Sequence, residues 1–266
     1  MPQPQLENKI IVNDLLIHYW HWPTYDEKNP SIVFLHGWRL SGEVWLPIIR
    51  YLLDKGYNIF SLDLPGFGRS EMPAENYTLA DYADVVEAFI QKMKIRDVIL
   101  VGHSFGGRIA IKLVAKNPGL FKKLVLANSA GFRNSREFYL RSKIFLAKIF
   151  KFIFKIPFFR MTRIKIYKMI GADDYITLPD EMKKVFVNIV NEDLTDLLPK
   201  LGRLPTLIIW GDQDKETPIS FASAFRRGIA NSELVILPRA GHLSFFDQPL
   251  LFSQAFNNFI EDPKSY

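Results

Sequence analysis

The stretch Val98-Ile99-Leu100-Val101-Gly102-His103-Ser104-Phe105-Gly106 decides the fold class of this chain. Its first four residues are β-branched or apolar, which is typical of a short buried strand. From Gly107 to Lys116 apolar residues recur at helical spacing, so the chain passes from strand to helix at Ser104. Such an abrupt turn strains the backbone and leaves little room for side chains, and the residues two before and two after the serine are both glycine. This context predicts that Ser104 is a nucleophile on a sharp turn.

The same alternation of strands and helices runs through most of the chain. The predicted strands are 10–12, 15–20, 32–35, 58–62, 98–101, 123–127, 206–210 and 233–237, and the predicted helices are 44–53, 79–93, 107–116, 219–228 and 250–260. Apolar strands that alternate with helices predict an α/β fold, a mainly parallel sheet with helices on both faces. The first two strands, joined at Asn13-Asp14, predict a hairpin at one edge of the sheet.

The alternation stops between Ala130 and about Leu201, where the residues indicate several helices. We therefore expect a first part of the core at 1–130, an inserted helical cap at 131–201 and a second part of the core at 202–266. Between Gly131 and Ile170, eleven basic residues and one acidic residue carry +10, whereas the whole chain carries +6, so the rest carries −4. These basic residues are interleaved with bulky aliphatic ones rather than grouped along a polar groove, which argues against nucleic-acid binding.

The composition also excludes several kinds of chemistry and location. The chain has no cysteine, so it forms no disulfide, thiolate metal site or cysteine nucleophile. No apolar run reaches the roughly 18 to 20 residues that a membrane span needs. The first nine residues contain no apolar core behind a basic start, so we expect no secretory signal and a cytoplasmic location.

A serine nucleophile needs a histidine that accepts its proton, and the histidine needs a carboxylate that fixes its tautomer. His242 is the candidate base because it follows the last predicted strand, and open α/β sheets place their chemistry beyond the carboxyl ends of the strands. We expect the remaining histidines to pack at the sheet edge or to shape loops: His18, His21, His36 and His103.

Two aspartates, Asp212 and Asp214, follow the strand at 206–210 and lie between the serine and the histidine in sequence. Asp212 comes at the turn itself, where an aspartate commonly binds local backbone amides. Asp214 is farther along the loop and freer to reach His242. We therefore predict that Asp214 is the acid of the triad and that Asp212 forms the turn.

Two backbone amides are candidates for stabilising the oxyanion that forms when serine attacks a carbonyl. One is the amide of Phe105, the residue directly after the nucleophile. The other is the amide of Trp38, in the glycine-containing turn His36-Gly37-Trp38 that follows the strand at 32–35. The indole of Trp38 is free to line the pocket at the same time.

Five landmarks in this order make the chain similar to the α/β-hydrolase family. They are His36-Gly37-Trp38, Asp63-Leu64-Pro65-Gly66-Phe67-Gly68-Arg69-Ser70, Gly102-His103-Ser104-Phe105-Gly106-Gly107, Trp210-Gly211-Asp212-Gln213-Asp214 and Gly241-His242. The resemblance implies an eight-stranded sheet with a helical cap inserted after the sixth strand, and the insert at 131–201 falls at the matching place. Haloalkane dehalogenases and epoxide hydrolases of this fold use an aspartate nucleophile, whereas this chain has Ser104, which favours acyl transfer to water.

Two shorter stretches resemble particular branches of the family. The residues 36–41 with Trp45 are similar to small esterases and cofactor-free haloperoxidases. The stretch Asn128-Ser129-Ala130-Gly131 resembles the carbon-carbon bond hydrolases of aromatic degradation.

These observations predict a serine hydrolase, specifically a carboxylesterase for small esters with an apolar acyl or aryl group, that needs no metal or organic cofactor. The alternatives are a carbon-carbon bond hydrolase with the same triad and a module that binds an apolar ligand without turning it over. The insert has a cationic stripe at Arg141, Lys148, Lys151 and Lys155 beside many phenylalanines. A cap helix that roofs an apolar pocket explains this pattern, and an interfacial helix on an anionic membrane is the alternative.

Overall fold

The computed structural model describes residues 6–24, 29–132 and 179–262, and these ranges contain one eight-stranded sheet. The strands are β1 (Leu6–Val12), β2 (Leu15–Trp22), β3 (Ser31–Leu35), β4 (Asn58–Leu62), β5 (Val98–His103), β6 (Phe121–Ala127), β7 (Thr206–Gly211) and β8 (Ser232–Leu237). Their order across the sheet is β1-β2-β4-β3-β5-β6-β7-β8. Only the pairs β1-β2 and β2-β4 of these described strands are antiparallel. The predicted mainly parallel sheet is confirmed.

The edge hairpin predicted at Asn13-Asp14 is present. Val12 of β1 pairs with Leu15 of β2, which leaves a two-residue turn. Asn13 and Asp14 have φ angles of 46° and 62°. Two-residue hairpin turns with positive φ at both positions match the natural twist of the strands, and Asn and Asp tolerate this conformation better than most residues.

Helices lie on both faces of the sheet, as predicted. The α-helices of the described residues are α1 (Leu46–Leu52), α2 (Leu79–Lys92), α3 (Phe105–Lys116), α4 (Asp180–Asn191), α5 (Ile219–Gly228), α6 (Ser244–Asp247) and α7 (Pro249–Glu261). Short 3-10 helices cover Gly42–Trp45, Leu53–Lys55, Pro118–Leu120 and Thr195–Leu201. On one face, Ile48 of α1 and Phe256 of α7 share a core cluster with Phe34 of β3. On the other face, Trp210 of β7 packs against Phe225 of α5 with ring centroids 5.9 Å apart.

The central strands are buried on both faces, which explains why their sequences do not alternate. Every residue of β3 and β5 is buried. Full burial of a large apolar side chain such as Phe34 contributes roughly 1.5–3 kcal/mol. The carboxyl ends of β3, β5, β6, β7 and β8 lie along one edge of the sheet, and the candidate site residues follow these strand ends.

Contacts divide the chain into two compact units. The first contains residues 1–73, 79–131 and 194–266 and carries the sheet. The second contains residues 74–78 and 132–193, and within it Lys184 of α4 forms an ion pair with Glu75. Most of the insert expected to be a cap, including its cationic stripe at 141–155, lies outside the described residues. None of the helices within the described ranges is long and apolar enough to cross a bilayer.

Candidate active site

Ser104 occupies the junction between β5 and α3 in a conformation that residues with a side chain rarely adopt. Its φ and ψ angles are 50° and −110°. Backbone hydrogen bonds hold it there, since its N–H donates to the carbonyl of Ala127 at 3.2 Å and its own carbonyl accepts from Ala130 at 3.1 Å. A backbone in such a sparsely populated region costs on the order of 1–3 kcal/mol and persists only where its surroundings enforce it.

The two glycines around Ser104 allow backbone segments to approach each other closely. A Cβ atom on Gly102 would lie 2.5 Å from the carbonyl oxygen of Gly106. A Cβ atom on Gly106 would lie 2.4 Å from the carbonyl oxygen of Leu35, at the end of β3. Backbone atoms have little freedom to move aside, so these positions need glycine. The start of α3 therefore packs directly against the end of β3.

Asp214 and His242 form a hydrogen-bonded pair at the carboxyl edge of the sheet. Asp214 follows β7, His242 follows the neighbouring parallel strand β8, and His242 Nδ1 lies 2.9 Å from Asp214 Oδ2. Asp214 is only 8% exposed. Its Oδ1 accepts the backbone N–H groups of Glu216 and Thr217 at 2.8 and 2.9 Å. Its Oδ2 also accepts the Thr217 hydroxyl at 2.7 Å and the Asn128 amide at 2.6 Å.

These partners keep the buried Asp214 carboxyl ionised. Burial raises the pKa of Asp214, but the hydrogen bond and charge of His242, together with the hydrogen bonds from Thr217 and Asn128, outweigh burial and lower the pKa to about 2. A carboxylate at this position accepts the Nδ1 proton of His242 and leaves Nε2 free of a proton in the neutral imidazole.

Asp212 has a different environment from Asp214. Its side chain is exposed, and its Oδ1 accepts the backbone N–H of Ala240 at 3.3 Å. Asp212 thus links the loops after β7 and β8, whereas the contact with His242 belongs to Asp214.

His103, the residue before Ser104, connects the turn at Ser104 to the loop that carries His242. Its Nε2 lies 3.0 Å from the His242 carbonyl oxygen, and the two imidazole rings are 4.7 Å apart. Burial, followed by repulsion from His242, lowers the pKa of His103 well below its ordinary value. The neutral His103 donates its Nε2 proton to that carbonyl and shapes the loop.

Trp38 and Phe105 also lie side by side. Phe105 is the first residue of α3, and the N–H of a first helical residue has no acceptor within its own helix. The close packing of Gly106 on the carbonyls of Leu35 and His36 places this helix start beside the loop that contains Trp38. The rings of Trp38 and Phe105 meet edge to face with centroids 5.2 Å apart.

The other histidines make structural contacts. His36 is fully buried, donates from Nδ1 to the Gly37 carbonyl at 2.7 Å and accepts the Leu64 N–H at Nε2 at 2.9 Å. Burial lowers the pKa of His36 to about 4. His18 and His21 contact polar side chains of neighbouring strands and loops: Glu7, Asp63 and Asn58. Within the part of the chain that the structure describes, no three histidine or acidic side chains are grouped as metal ligands.

A model of the alpha/beta hydrolase family matches residues 32–255. This chain belongs to the α/β-hydrolase family. The match includes all the site residues described above, from the Trp38 loop to His242.

The hydrolase has relatives with several activities. It is 28% identical to the uncharacterized hydrolase YugF of Bacillus subtilis, over 95% of this chain and 97% of YugF. It is 25% identical to the mouse monoacylglycerol lipase ABHD6, over 83% of this chain and 72% of the lipase. It is also 25% identical to an Escherichia coli 2-hydroxy-6-oxononadienedioate/2-hydroxy-6-oxononatrienedioate hydrolase, over 91% of both chains. The crystal structure of a bacterial membrane phospholipase A matches with a TM-score of 0.75 and 26% identity, over 97% of this chain and 86% of that one.

Three residues that contact the Asp214–His242 pair are not among the site residues predicted from the sequence. Asn128 and Thr217 donate to the Asp214 carboxylate. Glu216 Oε2 lies 3.4 Å from His242 Nε2, on a side chain that is 70% exposed. Thr217 follows Asp214 by three residues, a spacing that favours a local hydrogen bond. Asn128 directly follows β6, and this position at the carboxyl edge of the sheet is the sequence feature that indicates a site residue.

Proposed function

We propose that this hydrolase is a serine carboxylesterase with a Ser104-His242-Asp214 triad and a substrate with an apolar acyl or aryl group. The observation that carries the proposal is the hydrogen bond of 2.9 Å between the buried Asp214 carboxylate and His242, whose loop is connected by His103 to the strained turn at Ser104. A low-pKa aspartate on Nδ1 presents an unprotonated Nε2, which is the atom that a serine nucleophile needs.

The reaction passes through an acyl-enzyme. Ser104 Oγ attacks the ester carbonyl while His242 Nε2 takes its proton, and the resulting tetrahedral intermediate collapses as His242 returns that proton to the leaving alcohol. A water molecule, deprotonated by His242, then attacks the acyl-enzyme, and Ser104 leaves with the proton. Asp214 orients His242 and stabilises the imidazolium in both halves of the reaction.

The backbone amides of Trp38 and Phe105 are the proposed oxyanion donors. Their residues lie side by side because Gly106 packs on the end of β3. Each well-placed donor lowers the barrier by about 3 kcal/mol. Neither donor requires a metal ion or an organic cofactor.

The side chains beside these amides are aromatic, which supports a substrate with an apolar group. The rings of Trp38 and Phe67 lie 4.8 Å apart, and Tyr82 meets Phe105 edge to face at 5.0 Å. Phe67 and Phe105 themselves are 6.1 Å apart, so the four rings form a continuous apolar cluster. The proposal also retains the helical cap insertion at 131–201, a small-molecule substrate and a cytoplasmic location.

A second candidate is carbon-carbon bond hydrolysis of an anionic dienoate. The E. coli relative carries the name of such a hydrolase over nearly the whole chain, and the reaction would use the same triad. The name of the mouse relative, a monoacylglycerol lipase, supports ester hydrolysis instead. Turnover of a ring-fission dienoate with little activity on aryl esters would favour the second candidate.

Labelling with a fluorophosphonate tests the nucleophile. We expect wild type to be labelled at Ser104 and Ser104→Ala to remain unlabelled. The matched control Ser129→Ala, which replaces a buried serine two residues after β6, should be labelled like wild type. A panel of 4-nitrophenyl esters with increasing acyl length then defines the substrate class. An unlabelled wild type would contradict the proposal and favour a module that only binds its ligand.

A further inference from the structure

Asn128 is a buried amide that joins the loops after three neighbouring strands. It directly follows β6, is fully buried and has a φ angle of 44°. Its Nδ2 donates to Asp214 Oδ2 at 2.6 Å, in the loop after β7, and to the Gly241 carbonyl at 3.2 Å, in the loop after β8. Its Oδ1 accepts the Ser244 hydroxyl at 2.5 Å. Asn128 therefore contacts the acid directly and the chain on both sides of His242.

These contacts leave only one orientation for the Asn128 side chain. A carboxylate and a carbonyl only accept hydrogen bonds, so the amide NH₂ has to face Asp214 and Gly241. The amide oxygen then faces Ser244, whose hydroxyl is able to donate. All three partners are satisfied in this orientation, whereas a flipped amide would place two acceptors against its oxygen.

Thr217 does not duplicate this arrangement. Its hydroxyl lies 2.7 Å from the same oxygen of Asp214, and also 3.3 Å from His242 Nδ1 and 3.2 Å from the Asn128 carbonyl oxygen. A hydroxyl has a single proton to donate, whereas the Asn128 NH₂ group has two and donates to Asp214 and to the Gly241 carbonyl at the same time.

We propose that Asn128 is a positioning residue that holds the Asp214 carboxylate against His242 and keeps the loops of the acid and the base at a constant separation. The inference rests on the proposed triad. Asn128 acts in two ways: it fixes the place of Oδ2, and its N–H draws charge from that oxygen. Without this donor, Oδ2 would move more freely and would hold an imidazolium more strongly.

The test compares Asn128→Ala and Asn128→Leu with the control Ser129→Ala, the adjacent buried residue whose hydroxyl donates to the Ala130 carbonyl and not to the triad. With a 4-nitrophenyl ester, we expect both Asn128 variants to lose on the order of 10- to 100-fold in kcat, with KM within about twofold of wild type. Asn128→Leu keeps the approximate size of the side chain but has no donor, so activity near wild type in that variant would overturn the proposal.

The pH profile separates positioning from general stabilisation. In Asn128→Ala, the acid limb of kcat/KM should move to higher pH because Asp214 then binds the imidazolium of His242 more strongly. The charged and titratable groups that face His242 are Asp214, Glu216 and His103, and none of them is changed in this variant. An unshifted acid limb, or a kcat loss that follows only the fraction of folded protein in thermal unfolding, would overturn the proposal.

A measurement without turnover distinguishes this inference from the proposed function. The Nδ1 proton of His242, which is hydrogen-bonded to Asp214, should give a low-field ¹H NMR signal. Its chemical shift should change in Asn128→Ala and stay the same in Ser129→Ala. If this signal does not move, the inference fails, even where wild type is labelled by fluorophosphonate. If the signal moves but wild type is not labelled, the proposed function fails and the positioning role of Asn128 stands.

Discussion

Replacement of Asp214 by asparagine is the sharpest test of the proposed mechanism, because every group that contacts its carboxylate is a donor. Oδ1 accepts two backbone N–H groups, and Oδ2 accepts from Thr217, Asn128 and His242. An asparagine has one oxygen and one NH₂ group, so its NH₂ has to replace one of these acceptors. The two backbone donors at Oδ1 are unable to adapt, whereas at Oδ2 Thr217 and His242 can change their proton positions and only the Asn128 NH₂ group is left facing a second donor.

We therefore expect the NH₂ group of Asp214→Asn to occupy the Oδ2 position. His242 must then accept this N–H at Nδ1 and carry its own proton on Nε2, where it is no longer able to take the proton of Ser104. The same change of tautomer in a serine protease lowers kcat about 10⁴-fold. A loss of that size corresponds to about 5.5 kcal/mol of transition-state stabilisation.

The assay compares kcat for a 4-nitrophenyl ester in wild type, Asp214→Asn and the control Asp212→Asn, with thermal unfolding as the measure of folding. Asp212 is exposed and accepts one backbone N–H at 3.3 Å, so its variant should keep kcat within about twofold and lose at most about 1 kcal/mol of stability. A folded Asp214→Asn with less than a tenfold loss of kcat would refute the tautomer argument. A larger loss in Asp212→Asn would assign the role of the acid to Asp212.

Three further outcomes follow from the structure. The pKa of Asp214 is about 2 in the folded protein, compared with the ordinary value of 3.8. Ionised Asp214 therefore contributes about 2 kcal/mol to the free energy of unfolding above about pH 4, and this contribution is lost as the pH falls towards 2. Urea unfolding at pH 6 and pH 2.5 should show a smaller loss for Asp214→Asn than for wild type, and equal losses would contradict this linkage. Lys123→Met should lower the free energy of unfolding, measured in urea, by about 2–3 kcal/mol, since the buried ammonium donates to three carbonyl oxygens at the end of α7. A change below about 0.5 kcal/mol would show that these hydrogen bonds do not stabilise the fold. Glu216→Gln should raise the ratio of kcat/KM for the anionic ester 4-nitrophenyl hemisuccinate to that for 4-nitrophenyl butyrate about threefold at low salt, because the Glu216 carboxylate lies 3.4 Å from His242 Nε2. If this ratio matches that of wild type, the exposed charge of Glu216 does not act on the substrate.

The main features of the fold were readable from the sequence because local patterns encode them. The apolar runs at β3 and β5 are buried on both faces, and the hairpin follows from two residues that tolerate positive φ. The structure starts α3 at Phe105, two residues before the predicted start at Gly107, because the turn at Ser104 is followed by helix without an intervening loop. The apolar periodicity does not predict this earlier start of α3, since Phe105 and Gly106 precede the repeating pattern.

In the proposed site, as in the fold, the sequence predicts some features and only the tertiary structure reveals the others. The sequence by itself determined the candidate nucleophile and base and two candidate acids, of which it favoured Asp214, since each follows a predicted strand and parallel strands bring their carboxyl ends to one edge. Only the tertiary structure decided which aspartate contacts His242, because Asp212 and Asp214 follow the same strand and differ only in the direction that the loop gives them. It also revealed Asn128 as a partner of Asp214 across 86 residues of sequence. Such a contact depends on the side-by-side order of β6, β7 and β8, and no local sequence pattern records the distances between loops that follow different strands.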